Sequence, residues 1–196
     1  MRSLTTTLHR LRKLLGEDQA VLLRFGRLSL NERYCWTDVG AFESLTTAAD
    51  SESWRSPETG LQRECAAEHR LAGWAAGDIA AIYRGPFLTE HTDNPQYLAM
   101  RQRLRNRLLR AAGELIRRWS AQADWDRCFA FLRRVIEAEP ELEGLYRRLM
   151  LSYRDAGLVT EAMDVYEQYR EVCRGTGTGE PSTETTAIFN LVLKAL

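Results

Sequence analysis

Residues 112–140 of this chain align with residues 146–174 at an offset of 34, and this internal repeat limits the possible fold more than any other feature. Large side chains recur as Leu115 and Leu149, Trp119 and Tyr153, Leu132 and Tyr166, and Val135 and Tyr169. Small ones recur as Ala123 and Gly157, and as Cys128 and Ala162. Large residues at interior positions and small ones at positions of close approach describe a helix pair folded back on itself and then repeated. Such units cannot bury their apolar sides alone, so helices before and after the repeat must complete the stack.

The pattern resembles that of tetratricopeptide repeats and predicts a mainly α fold, with a tetratricopeptide-like helical repeat domain over residues 37–196. The flanking sequence supplies the extra helices. Asn94-Pro95 opens the longest helical stretch, to about Ser120, with Leu104, Leu108, Leu115 and Trp119 as its apolar stripe. Thr37 or Asp38 can cap a helix carrying Val39, Phe42 and Leu45. Ser56-Pro57-Glu58 opens another that runs to about Gly73, with Leu61, Cys65, Ala72 and Trp74 inward. Gly85-Pro86 bends the chain between helices. After the second repeat, RGTGTGEPSTET follows a helix instead of a strand and has no lysine, so it reads as a connector and not as a phosphate loop. Ser182 or Thr183 then caps a last helix.

The 27 acidic residues match the 27 basic ones, of which only Lys13 and Lys194 are lysines. That balance excludes a uniformly basic nucleic-acid coat but hides a division along the chain. Residues 1–34 carry a net +4, residues 35–95 a net −6, residues 96–118 a net +6 and residues 119–196 a net −4. The second basic island is a single helix with Arg103, Arg107 and Arg110 along one face. This face either meets a polyanion or acidic partner, or pairs with the acidic helices beside it while its arginine stems cover apolar surface. Tyr146, Tyr153, Tyr166 and Tyr169 present a similar choice between core and a binding surface for a peptide or small molecule.

In the first island, Leu4, Leu8, Leu11 and Leu15 share one stripe of a predicted helix that Gly16 stops, and this stripe is its one buried side. The opposite face carries Arg2, Thr6, His9, Arg10 and Lys13, a shape that can lie in a DNA major groove. Two short β-runs follow, residues 21–24 and 27–31, around a Phe25-Gly26 turn flanked by Arg24 and Arg27. A basic helix followed directly by a hairpin is the helix-plus-wing order of winged-helix domains, with the hairpin arginines in reach of phosphates.

LHRLRKLLG, the hairpin and WTDVGAFESL together resemble the end of a response-regulator-type winged helix running into the bacterial transcriptional activator domain. The same architecture occurs in the Streptomyces antibiotic regulatory proteins and in activators of the maltose-regulon type. YRGPFL, from Tyr83 to Leu88, matches the Tyr-x-Gly-x-x-Leu element of that domain, and EPSTET resembles its end, so the resemblance runs from Leu4 to about Phe189. It implies that residues 1–36 are the C-terminal remnant of a winged-helix DNA-binding domain, with Leu11-Arg12 on the recognition helix. Thr6, His9, Arg10, Arg12 and Lys13 would then face DNA, and Arg24 and Arg27 would track phosphates. The domain opened by Asp38 and Phe42 would serve self-association as a homodimer, contact with RNA polymerase, or signalling from an upstream sensor domain. A complete winged helix has a sheet and two more helices before its recognition helix, whereas this chain starts almost on that helix. The expectation is a fragment that binds DNA through the intact parent protein, or a gene product that has lost the domain.

No run approaches the roughly 18 apolar residues of a membrane span, and the N-terminus is amphipathic where a signal peptide needs an apolar block. A cytoplasmic protein with no membrane partner is expected. Cys35, Cys65, Cys128 and Cys173 are too widely spaced for a CxxC metal site and read as small apolar fillers. His9, His69 and His91 lack metal-ligand spacing, and neither HExxH nor GxSxG occurs, so no enzyme activity, catalytic residue, metal or cofactor is expected. The rival reading is a tetratricopeptide-like adaptor or ligand-sensing module that does not itself bind DNA.

Overall fold

The computed structural model describes residues 2–50, 77–90 and 94–194. The helix expected from Ser56 to Gly73 lies outside these residues. Helix α1 (Arg2–Leu15) leads into an antiparallel hairpin of β1 (Val21–Arg24) and β2 (Arg27–Leu30), with Val21 opposite Leu30 and Arg24 opposite Arg27. Seven more helices follow among the described residues: α2 (Asp38–Asp50), α3 (Gly77–Ile82), α4 (Pro95–Ala121), α5 (Trp125–Ala138), α6 (Glu143–Asp155), α7 (Val159–Thr176) and α8 (Thr183–Leu193).

Helices α2, α4 and α8 begin where a side chain satisfies one of their first free N–H groups. Thr37 Oγ1 accepts from the Gly40 N–H at 3.1 Å, and Asn94 Oδ1 accepts from the Gln96 N–H at 2.9 Å ahead of Pro95. Ser182 Oγ accepts from the Thr185 N–H at 3.3 Å. Of the two candidates at each of the outer helices, Thr37 and Ser182 therefore act as the caps.

Short connections make α4 and α5 one helical hairpin and α6 and α7 the next. Helix α6 packs on both members of the first hairpin, and α8 packs on both members of the second. The N-terminal end is covered by α2 against α4 and by α3 against α5. These are the additional layers that two repeats require. Leu108, Leu132, Leu145, Leu149 and Met150 are fully buried in a single core that extends from Phe42 to Val192. Close approach governs the Cys128 and Ala162 pair, where both residues are completely buried. Burial pushes the Cys128 thiol pKa up, and its Sγ donates to Ser152 Oγ at 3.4 Å.

The Ala123 and Gly157 pair is small for a different reason from the one the spacing suggested. Their φ angles are +54° and +79°, and a Cβ added at Gly157 would meet nothing within 4 Å. Each is the left-handed residue that ends a helix. The next N–H reaches back five residues, from Asp124 to the Trp119 carbonyl at 2.9 Å and from Leu158 to the Tyr153 carbonyl at 2.8 Å. The same terminating bond thus recurs one repeat later.

Helix α8 is fixed by charge as well as by packing. Glu143 Oε1 accepts the Ser182 N–H at 2.8 Å, and Arg147 pairs with Glu184 at 2.5 Å. Burial alone would raise the Glu143 carboxyl pKa, but hydrogen bonds from Thr185 and Ser182 and the nearby Arg147 bring it below its ordinary value of 4.5.

Ala123→Gly should raise stability in urea unfolding by about 0.5–1 kcal/mol by relieving left-handed strain, whereas Gly157→Ala should lower it by about 1 kcal/mol. A shift in the same direction for both would refute the shared turn geometry. Because the Glu143 carboxyl is depressed in the fold, its contribution is complete above the ordinary carboxyl pKa and is lost as pH falls through the folded value. Glu143→Gln should therefore flatten the acid limb of the stability profile below about pH 4.5. An unchanged limb would show that the carboxylate does not hold α8.

Candidate functional site

The first 36 residues form a small basic unit. Arg12, expected on the DNA face, turns instead to the hairpin, where its Nε and Nη2 donate to the Val21 carbonyl at 3.1 and 2.7 Å. The base of the hairpin is closed by the Asn31 N–H on the Ala20 carbonyl at 2.9 Å and by Cys35 Sγ on the same oxygen at 3.4 Å. Thr6, His9, Arg10 and Lys13 are exposed along α1, and Arg24 and Arg27 are exposed at the hairpin tip. The leucine stripe departs from its expected burial, since only Leu8 is buried while Leu4, Leu11 and Leu15 remain exposed. A two-stranded ribbon is too narrow to cover a helix of four turns. Leu14, beside that stripe, is 85% exposed.

On the arginine face of α4, Arg103 and Arg107 reach across to α2. Arg103 Nη2 lies 2.7 Å from Glu43 Oε1 on α2, and Arg107 Nη1 donates to the Glu43 carbonyl at 3.3 Å and to Thr47 Oγ1 at 3.0 Å. Arg101 Nε donates to the Phe87 carbonyl at 2.6 Å. Glu114, the one acidic residue of this helix, takes Arg117 at 2.6 Å and Arg118 at 3.0 Å, and the hydrogen bond from Arg117 is the main reason its pKa falls to about 2. Arg110 stays exposed. Arg103 and Arg107 thus hold α2 on α4, which is the structural alternative of the two the sequence left open.

The four tyrosines also resolve toward structure. Tyr146, Tyr153, Tyr166 and Tyr169 are all buried and belong to the core cluster. Tyr146 and Tyr169 pack with ring centroids 4.6 Å apart, Tyr153 stacks on Phe129 at 4.1 Å, and Tyr166 stacks on Phe189 at 4.0 Å. Rings of this size at the repeat positions fill the space between successive layers. Burial accordingly pushes the Tyr146 hydroxyl pKa up to about 12 and raises that of Tyr169.

A buried carboxylate closes α5, a feature that none of the sequence patterns singled out. Glu139 is 1% exposed, accepting the Tyr83 hydroxyl on Oε2 and Arg105 Nε on Oε1. Its partners come from the turn after α3 and from α4. Burial, and then the Glu139 carboxylate, raise the Tyr83 hydroxyl pKa. The cluster forms one wall of a groove of about 650 Å³ that Pro86, Leu98, Arg101, Gln102 and Thr176 also line. The Tyr-x-Gly element was the available signal. Tyr83 supplies the hydroxyl, and Gly85, with φ +143°, brings its backbone to where a Cβ would lie 3.3 Å from the Ala138 carbonyl.

Removing the buried acid should cost more than removing its hydroxyl partner. Glu139→Ala is expected to destabilise by about 3 kcal/mol by leaving Arg105 uncompensated, and Tyr83→Phe by about 1 kcal/mol. The double variant should lose less than the sum of the two. Strict additivity would show that the three groups do not act as one junction.

Among the described residues no helix is long and apolar enough to cross a membrane, and no group of three or more His, Cys, Asp or Glu residues is arranged to hold a metal ion. No curated protein and no solved structure matches the chain. The family model described as the bacterial transcriptional activator domain matches residues 37–193, whose described residues include α2 to α8. The chain therefore belongs to the bacterial transcriptional activator domain family, a regulator of the transcriptional-activator type.

Proposed function

We propose that residues 1–36 form a DNA-contacting unit with the helix-plus-wing order of a winged helix, and that the helical domain from residue 37 onward mediates protein contacts in the same transcriptional regulator. The family match over residues 37–193 carries this reading. It is supported by the division of charge, because Arg101, Arg103 and Arg107 of α4 are engaged within the fold while Arg10, Arg24 and Arg27 of the N-terminal unit are exposed. In this reading Thr6, His9, Arg10 and Lys13 face the duplex, Arg24 and Arg27 take phosphates, and Arg12 orients the hairpin on the helix. The helical domain receives the protein partner, which is a second copy, RNA polymerase or a sensor domain. The protein works in the cytoplasm, where its target DNA lies.

Phosphate contacts release counterions, so each one steepens the fall of affinity with salt. In titrations of duplex DNA at several salt concentrations, Arg24→Ala and Arg27→Ala should each weaken binding to all sequences alike and reduce the salt slope by about 1. Arg110→Ala, a cation outside the unit, should leave the slope unchanged. Equal slopes for all three variants and the parent would overturn the assignment.

A further inference from the structure

Four residues at the tip of the hairpin break three local rules at once. Phe25 and Gly26 both have positive φ, +50° and +73°, as a two-residue hairpin turn of this hand requires. The first of these positions favours Asn, Asp or Gly, and a bulky aromatic residue there is strained. The ring is also 103% exposed and touches nothing that would offset the strain. Arg24 and Arg27 stand directly opposite each other across the strands, and like charges in that position repel. Strain, exposed aromatic area and paired like charges left uncompensated within a chain mark a surface whose compensation comes from a partner.

The chemistry of that partner follows from the arrangement. Two cations flank a projecting ring, so the complement is a polyanion with stackable apolar surface between its charges. Duplex DNA has this form, with phosphates on either side of a groove floored by stacked bases. Phosphates drawn between Arg24 and Arg27 would screen their repulsion, and the ring would exchange water for a base face. We propose that Phe25 is a wedge that enters a base step from the groove while Arg24 and Arg27 hold the flanking phosphates. Apolar wedges of this kind partly unstack a step and kink the duplex, and the deformation is easiest at TA steps and hardest in A-tracts. The wedge rests on the DNA reading above and adds a preference for deformable sequence.

The test uses the full chain at about 50 mM salt, where phosphate contacts are strong, with two duplexes of equal length. One carries repeated TA steps with 2-aminopurine replacing the adenines, and the other is an A-tract. The chain should raise the 2-aminopurine fluorescence and bind the TA duplex about tenfold more tightly than the A-tract. Phe25→Asn restores the Asn-Gly turn and so keeps or improves the hairpin. It should abolish both the fluorescence rise and the preference while retaining the A-tract affinity. Binding that responds to Arg24→Ala and Arg27→Ala but shows neither preference nor Phe25 dependence would overturn the wedge and leave the DNA reading standing. A fluorescence rise that survives in Phe25→Asn would also overturn it. Failure to bind either duplex would overturn both.

Discussion

A single buried carboxylate ties the segment after α3 to the first helical hairpin. Glu139 sits where α5 ends and accepts from Tyr83, which follows α3, and from Arg105 on α4, so three segments distant in sequence converge on one side chain. An ion buried this deeply is tolerated only when its partners are fixed, and removing one leaves the others exposed to the full cost of desolvation. The junction therefore fixes α3 and the Gly85 bend against the first helical hairpin. With α2 held on α4 by Arg103 and Arg107 around Glu43, the N-terminal end of the stack has a defined position. The second basic island of the sequence is largely the visible trace of this fastening.

Much of the architecture was legible because it depends on period and punctuation. The offset of 34, the stripe of Leu104, Leu108, Leu115 and Trp119, the Asn94-Pro95 start and the Phe25-Gly26 turn are local features, and all of them are found in the fold. What the sequence could not convey was the direction of a side chain across space. Arg12 sits near the basic face by spacing but bonds to Val21, because the hairpin lies beside that flank of the helix. The tyrosines had the right chemistry for a binding surface and the right spacing for a core, and spacing prevailed. Ala123 and Gly157 show that a correct alignment can carry a wrong reason. Their small size reflects backbone handedness at a helix end, which sequence alone does not separate from close packing.

The candidate interface differs physically from the domain behind it. In the helical domain several carboxylates meet arginines and aromatic rings stack within the fold. The N-terminal unit does the reverse. It exposes a row of leucines on α1, an aromatic ring at the hairpin tip and two facing arginines, and its sheet has only two strands. A unit so poorly satisfied from within gains most from contact with something outside it. That contrast separates the scaffold from the candidate interface independently of the family to which the chain belongs.

The packing of α4 to α8, each helix against its neighbours, also sets how the molecule comes apart. In a linear stack, stability is the sum of each layer and its adjacent interfaces, and opening begins at an end. Helix α8 is the last layer of the described stack, tied down by Glu143 and Arg147, whereas α5 is interior and anchored by the Glu139 junction. Amide hydrogens of α8 are thus the ones to exchange by fraying, while those of α5 wait for deeper unfolding. A partner that docks on α8 would slow that fraying and extend the cooperative unit by one helix, so an occupancy signal could be carried by protection from opening without any change of shape.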